Sequence, residues 1–175
     1  MNISIYRYIY HTPDGFDDML MSSDGNVLTG LWFQGSPDQK KHNELYTVEY
    51  LPVFKETCRW LDIYFSGRQP AFTPIYQLNG LTTFRGEVSE ILCTIPFGKT
   101  MTYGDIAAQV APKHGILKMS AQAVGGAVGW NPICIIIPCH RVIGVGGKLT
   151  GYGGGIKNKI ALLELEGNDM SEAKP

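Results

Sequence analysis

The sequence predicts an α/β (α+β) protein in two parts. Residues 1–80 read as a small α/β domain with an antiparallel sheet, and residues 81–175 as a mostly helical domain carrying a helix-turn-helix. Three observations carry this. Strand-like runs rich in Ile, Tyr, Leu and Trp concentrate in the first half, and two of them flank Asp24-Gly25-Asn26, a hairpin signal. Beyond Asn79-Gly80 the apolar residues recur at three- and four-residue intervals, the helical period. A chain of 175 residues also has room for one ordinary domain or two small ones.

Ile3 to Tyr10 reads as the first strand, and Phe16–Ser23 with Val27–Gln34 as the hairpin. The polar stretch Gly35–Asn43 reads as a loop. Pro52 suits the first turn of a helix, where its missing N–H is no loss. Leu51, Phe54, Cys58, Leu61 and Phe65 then follow at helical spacing, and Gly67 ends the run. Ile75–Leu78 is a further candidate strand. Trp32, Phe33 and Trp60 read as core, and no chemistry is legible in this half.

In the second half Thr83 is placed to cap a helix with an apolar stripe of Phe84, Val88, Ile91, Leu92 and Ile95. Pro96-Phe97-Gly98 stops it. Thr102-x-x-Asp105 is a capping-box variant that starts a helix running to Val110. Pro112–Gly115 is a turn, and Ser120 caps a third helix from Ala121 to Val128. Two short helices joined tightly are consistent with a helix-turn-helix. The second of them is nearly bare, with Ala121, Ala123, Gly125, Gly126 and Ala127. Such a face serves either tight helix packing or close approach of a ligand. Gly144 to Gly155 lack the strand–GxGxxG–helix setting of a nucleotide loop and read as a hairpin and a mobile loop over a pocket. Ile156–Glu166 is a closing helix with Ile156, Ile160 and Leu163 inward, ended by Gly167, and the tail from Asn168 to Pro175 reads as frayed.

The chemistry concentrates in Ile135-Ile136-Ile137-Pro138-Cys139-His140-Arg141-Val142. Three isoleucines favour a buried, extended setting, and Pro138 breaks it just before Cys139. A free thiol near pKa 8.5 is only roughly 3% thiolate at pH 7, so a nucleophilic cysteine needs a base such as His140 and a carboxylate behind it. The four cysteines, Cys58, Cys93, Cys134 and Cys139, are scattered in a chain too large to need disulfides, which fits reduced thiols in the cytoplasm. Their spacing matches no common zinc pattern, so no metal or other cofactor is expected. No run is long and apolar enough to span a membrane, and the N-terminus has no signal-peptide pattern.

Net charge is −1, yet the distribution is uneven. Residues 1–95 hold seven basic against eleven acidic side chains. Residues 96–160 hold Lys99, Lys113, Lys118, Arg141, Lys148, Lys157 and Lys159 against Asp105 alone. That positive block coincides with the motifs and suits phosphate contact.

Pro138-Cys139-His140-Arg141-Val142 resembles the active-site signature of the O6-alkylguanine-DNA alkyltransferases. The resemblance extends through Thr102–Ala107, Ala123–Ala127, Asn131-Pro132, Tyr152–Gly155, Leu162-Leu163 and Glu166-Gly167, in family order and spacing. It is weak over residues 1–80. It implies a ribonuclease-like N-terminal domain and a DNA repair protein acting as a monomer on double-stranded DNA. O6-alkylguanine, with O4-alkylthymine as a second substrate, would be flipped from the duplex and its alkyl group passed irreversibly to Cys139, once per protein. His140 would be the base through a water, with Glu166 orienting it and Asn131 holding the network. Tyr103 would serve the leaving guanine, Tyr152 would wall the pocket, the Gly153 N–H would meet the guanine oxygen, and the carbonyls of Cys139 and Val142 would take its amino group. Arg141 would tie the two halves together. The helix bearing Ala121, Gln122, Ala123 and Gly125 would enter the minor groove.

Two positions depart from the family. Gln122 stands where an arginine usually fills the gap left by the flipped base, and Gly153 stands where serine is frequent. Two other readings compete: a cysteine hydrolase built on Cys139, His140 and Glu166, and a lesion sensor that binds without reacting. The first lacks any recognisable oxyanion donors, and the second has no need of a nucleophile.

Overall fold

The computed structural model describes residues 4–173. The start of the expected first strand at Ile3, and Lys174 and Pro175 of the expected tail, lie outside these residues. Strands β1 (Tyr6–Tyr10), β2 (Met19–Ser23) and β3 (Leu28–Phe33) form the expected antiparallel meander. Asp24 closes the hairpin, its carboxylate accepting from the Asn26 and Val27 N–H groups. A fourth strand, β4 (Thr47–Val48), joins β1 in parallel and completes the order β3-β2-β1-β4. Two exposed residues carry too little pattern to be read as a strand. Ile75–Leu78 contributes one bridge, Tyr76 to Leu28, and no strand. Ile75 is exposed there, so the run lacks a buried face.

Helix α1 (Pro52–Phe65) lays Phe54, Leu61 and Phe65 inward as the spacing predicts, together with Trp60 and Tyr64. It packs on β1, with Phe65 stacked 6.0 Å from Tyr10 and the Tyr10 hydroxyl donating to Asp62 at 2.7 Å. Within the expected loop 35–43, Gln39–Lys41 form a 3₁₀ turn.

Helix α2 (Thr83–Thr94) is capped by Thr82 rather than Thr83, since the Thr82 hydroxyl accepts from the Arg85 N–H. Strand β5 (Met101–Thr102) leads into α3 (Tyr103–Val110) through a complete Thr102/Asp105 capping box. Ser120 caps α4 (Ala121–Gly129). α2, α3 and α4 pack together, and β5 pairs in parallel with β6 (Val142–Ile143). α5 (Ile156–Leu165) differs from expectation in its buried face. Asn158, Lys159, Leu162 and Leu163 point inward, while Ile156 and Ile160 are only partly covered. Two buried polar residues on that face mislead a purely apolar count.

The largest correction concerns Ile135–Ile137. They are not an extended segment but a tight turn, with Ile135 at φ +69°, a region rarely occupied by a β-branched residue. Ile135 and Ile137 are still buried. The expected hairpin after Gly144 is also absent. The chain there folds into a turn closed by the Gly144 N–H to the Lys148 carbonyl at 2.7 Å.

Candidate active site

Three local devices fix Cys139. The first is its attachment to the sheet. β3 continues into the second half: the Leu31 N–H donates to the Pro132 carbonyl at 2.9 Å and the Cys134 N–H to the Leu31 carbonyl at 3.0 Å. The second is the Asn131 side chain. Its Oδ1 accepts from the Ile133 N–H, and its Nδ2 donates to the Ile137 carbonyl at 2.8 Å and to Cys139 Sγ at 3.1 Å. Asn131 thus clamps both ends of the Ile135 turn, which offsets a backbone strain of about 1–3 kcal/mol. The third is Pro138, whose φ of −82° and ψ of 60° make an inverse γ-turn closed by the Cys139 N–H to the Ile137 carbonyl. Cys139 then begins a 3₁₀ turn through Arg141.

Behind it lies a wholly buried charge network. Glu166, at the end of α5, accepts from His140 Nε2 at 2.8 Å, from Arg141 Nη2 at 2.8 Å and from the Tyr64 hydroxyl at 2.7 Å on one oxygen. Arg141 Nε at 2.9 Å and the Gly98 N–H at 3.2 Å reach the other. Burial opposes ionisation of Glu166, but the His140 and Arg141 hydrogen bonds win and pull its pKa down to about 2. A carboxylate so held can only accept, so His140 carries its proton on Nε2. Nδ1 is buried and has no partner among the described residues. Burial, more than Glu166 offsets, lowers the His140 pKa, so the ring is neutral at pH 7 and able to take a proton. Arg141 also donates to the Ile95 carbonyl at 2.7 Å and to Gln69, binding the two halves as its reading implied.

The thiol is acidified. A hydrogen bond from Cys134 is the largest cause, working against burial, and Asn131, Tyr152 and the Lys159 ammonium add to it. Cys134 is correspondingly pushed up. Lys159 is fully buried, donates to the Val142 carbonyl at 2.6 Å, and has its own pKa lowered by burial to about 8. All four cysteines are free.

Cys139 opens onto a pocket of about 790 Å³. Tyr103, Gln122, Tyr152 and Gly153 line it, as does the bare face of α4 through Ala121, Gly125 and Gly126, while Val124 and Ala127 pack inward. Gly126 and Gly129 therefore border open space, whereas Gly125 lies against Tyr103 and Ala127 packs into the core. Ala123 is exposed on the same helix but outside the pocket lining. Burial raises the pKa of both tyrosines and keeps them protonated, and the Tyr152 hydroxyl lies beside both sulfurs without a well-aligned hydrogen bond. Val142 is the one expected pocket residue that the geometry sets apart. It is fully buried, outside the lining, with its carbonyl already engaged by Lys159.

Three participants are not read as part of the site from the sequence: Tyr64 from the first half, and Cys134 and Lys159 from the second. Only Cys134 left a signal, five residues before Cys139.

Residues 83–168 match the family model described as the 6-O-methylguanine DNA methyltransferase DNA-binding domain. A methylated-DNA–protein-cysteine methyltransferase of Mycobacterium bovis is 53% identical over 161 residues, covering 90% of this chain and 91% of its own. The chain belongs to the methylated-DNA–protein-cysteine methyltransferases. A second member, from Methanosarcina mazei, is 45% identical and covers 95% of this chain and 99% of its own. Among solved structures, the Mycobacterium tuberculosis O6-methylguanine methyltransferase superposes with a TM-score of 0.75 at 41% identity, covering 93% and 92% of the two chains. The same organism's protein in complex with DNA gives 0.76 at 41% identity, covering 92% of each. The activity is the family's, repair of methylated DNA by transfer of the methyl group to a protein cysteine. Both alignments cover nine tenths or more of the chain and so extend into residues 1–80 as well. Among the described residues no helix is long and apolar enough to cross a membrane.

Proposed function

We propose that Cys139 is the acceptor and that the substrate is O6-alkylguanine in double-stranded DNA, with O4-alkylthymine as a second one. The observation that carries this is the acidified Cys139 sulfur, held by Asn131 beside a neutral His140 and facing a pocket. His140 Nδ1 takes the thiol proton through a bridging water, and Glu166 steadies the imidazolium. The thiolate then forms an S–C bond to the alkyl carbon as the C–O6 bond breaks. Tyr103 supplies a proton or hydrogen bond to the departing guanine, Tyr152 walls the base, and the Gly153 N–H meets O6. The thioether has no leaving group for water, so each protein reacts once. The carbon is unreachable inside the stack, so the base is flipped out. The bare face of α4 suits minor-groove entry, where bulky side chains do not fit. Residues 1–80 and 81–175 divide the work, the second part holding the DNA face and the acceptor. The protein acts as a monomer in the cytoplasm, which fits a site completed within one chain and free thiols. Intact-protein mass spectrometry after incubation with a methylated duplex tests the reading: the mass rises by one alkyl group, mapped to Cys139. A second alkyl group, or turnover without uptake, refutes it.

Two expected results follow for DNA binding. Of the seven basic residues in the 96–160 block, Arg141 and Lys159 are buried, which leaves Lys99, Lys113, Lys118, Lys148 and Lys157 exposed. Affinity for undamaged duplex should fall with salt at a log–log slope of about −0.9 per phosphate neutralised, hence no steeper than about −4.5. A salt titration with a slope near zero removes this block from the DNA face.

Gln122 is exposed on α4 at the pocket mouth. It is long enough to enter the gap left by a flipped base, and it lacks the charge and stacking of arginine. Gln122→Ala should slow transfer from duplex several-fold and leave the reaction with free alkylated base unchanged. Gln122→Arg should match or exceed the parent on duplex and steepen the salt dependence. Equal losses on both substrates in the alanine variant assign Gln122 to the pocket's shape instead.

A further inference from the structure

Tyr64 enters the buried network from the first half, on α1. It is fully buried, stacked on Trp60 at 5.4 Å between ring centroids and set edge-on to Phe97 at 5.9 Å and to the His140 ring at 6.4 Å. Packed on these sides, the ring aims its hydroxyl into the network. The hydroxyl donates to Glu166 Oε1 at 2.7 Å, and its oxygen lies 3.3 Å from His140 Nε2. Burial, and then the neighbouring Glu166 charge, hold the phenol pKa well above its usual range, so the hydroxyl stays a donor at and around neutral pH.

Oε1 therefore has three claimants: the His140 Nε2–H, the Arg141 Nη2–H and the Tyr64 O–H. The oxygen has a fixed charge to share, and each donor weakens its hold on the others. The surroundings of His140 divide in two. Burial, and behind it the charges of Arg141 and Lys159, oppose the protonated ring, while Glu166 favours it. By drawing on Oε1, the Tyr64 hydroxyl weakens the group that favours the cation. Its oxygen also acts the other way, as a second acceptor for the Nε2–H. At 3.3 Å that contact is neutral and stretched, whereas the 2.7 Å bond to Glu166 is charge-assisted and about twice as strong, so charge withdrawal wins.

We propose that Tyr64 is a positioning residue for the proton transfer from Cys139: its hydroxyl shares Glu166 Oε1 with His140, fixes the carboxylate against the imidazole, and keeps that ring neutral and ready to take the thiol proton. The role rests on His140 being the base. Without the hydroxyl, the undivided charge of Oε1 favours a proton on both ring nitrogens. A ring already protonated at Nδ1 has no lone pair for the thiol proton, so transfer fails earlier as pH falls.

The test compares the full chain with Tyr64→Phe, which keeps the ring and removes only the hydroxyl. Single-turnover alkyl uptake from a methylated duplex is followed against pH, and the His140 ring is titrated by NMR in the free protein. In Tyr64→Phe the acid limb of the rate profile and the His140 titration should both move up by about half to one pH unit. Uptake below the limb should fall roughly three- to tenfold, with the plateau within about threefold and duplex affinity unchanged. Phe65→Leu, on the same helix but outside the network, should lower Tm and leave both pH values in place. With a limb present in the parent, either value staying put or moving down in Tyr64→Phe overturns the proposal. An equal shift in Phe65→Leu also overturns it, because loosened packing then accounts for the effect. A parent that takes up no alkyl group, or shows no acid limb, fails the reading of Cys139 and His140 instead. The NMR titration needs no alkyl transfer and still decides whether Tyr64 tunes the ring, so the two failures are distinguishable.

Discussion

Cys139→Ala should take up no alkyl group from a methylated duplex, while the parent takes up one per molecule. Sγ accepts from Asn131 and Cys134, and Asn131 keeps its bonds to Ile133 and Ile137 without it. The clamp on the Ile135 turn therefore survives, and the stability cost should stay within about 1 kcal/mol. Affinity for duplex should be nearly unchanged, since no DNA-facing charge is touched. Mass spectrometry and a binding titration on the same sample check both halves of this. Residual uptake would move the acceptor elsewhere, with Cys134 the neighbouring sulfur to examine.

Glu166→Gln should have the next largest effect, on both rate and stability. The substitution keeps the shape but leaves the buried Arg141 guanidinium without its carboxylate. Breaking such a pair costs about 3–5 kcal/mol and should lower Tm by roughly 10 °C. The amide also cannot stabilise a cationic His140, so transfer at neutral pH should slow by roughly a hundredfold. A structural defect alone would lower Tm without changing the pH dependence of the single-turnover rate. An unchanged pH profile therefore takes Glu166 out of the proton path. The parent's own acid sensitivity follows from the same group. Its folded pKa of about 2 lies below the ordinary 4.5, so its stabilising contribution is complete above 4.5 and is lost as pH falls through about 2. Through that window Glu166→Gln should lose less stability than the parent in urea titrations.

The elements that were legible share one property: their signal is local. The Asp24 turn, the Pro52 start, the Thr102/Asp105 box and the Ser120 cap are each written within four residues. Cys139, His140 and Glu166 were legible through a motif, and the geometry joins His140 to Glu166 across 26 positions. What was hidden is set by long-range packing. Three consecutive isoleucines carry no mark of a left-handed φ, which Asn131 and the surrounding turn impose. On α5, Asn158 and Lys159 are buried because their partners, Asp17, Gly154 and Val142, are distant or in loops. Tyr64 looks like one aromatic among several on an apolar helix face until α1 is docked.

That last residue changes what the seam near residue 80 means. Tyr64 places its hydroxyl 2.7 Å from Glu166 and 3.3 Å from His140, across 102 and 76 positions of chain. A fragment beginning at residue 81 would keep every residue of the signature and still be chemically incomplete. Glu166 would lose a donor, Arg141 would lose Gln69, and the segment before Cys139 would lose Leu31. The first half is thus tied to the site by three residues, Tyr64, Gln69 and Leu31. A half that reads as an accessory is, through these hydrogen bonds, joined to the same buried network.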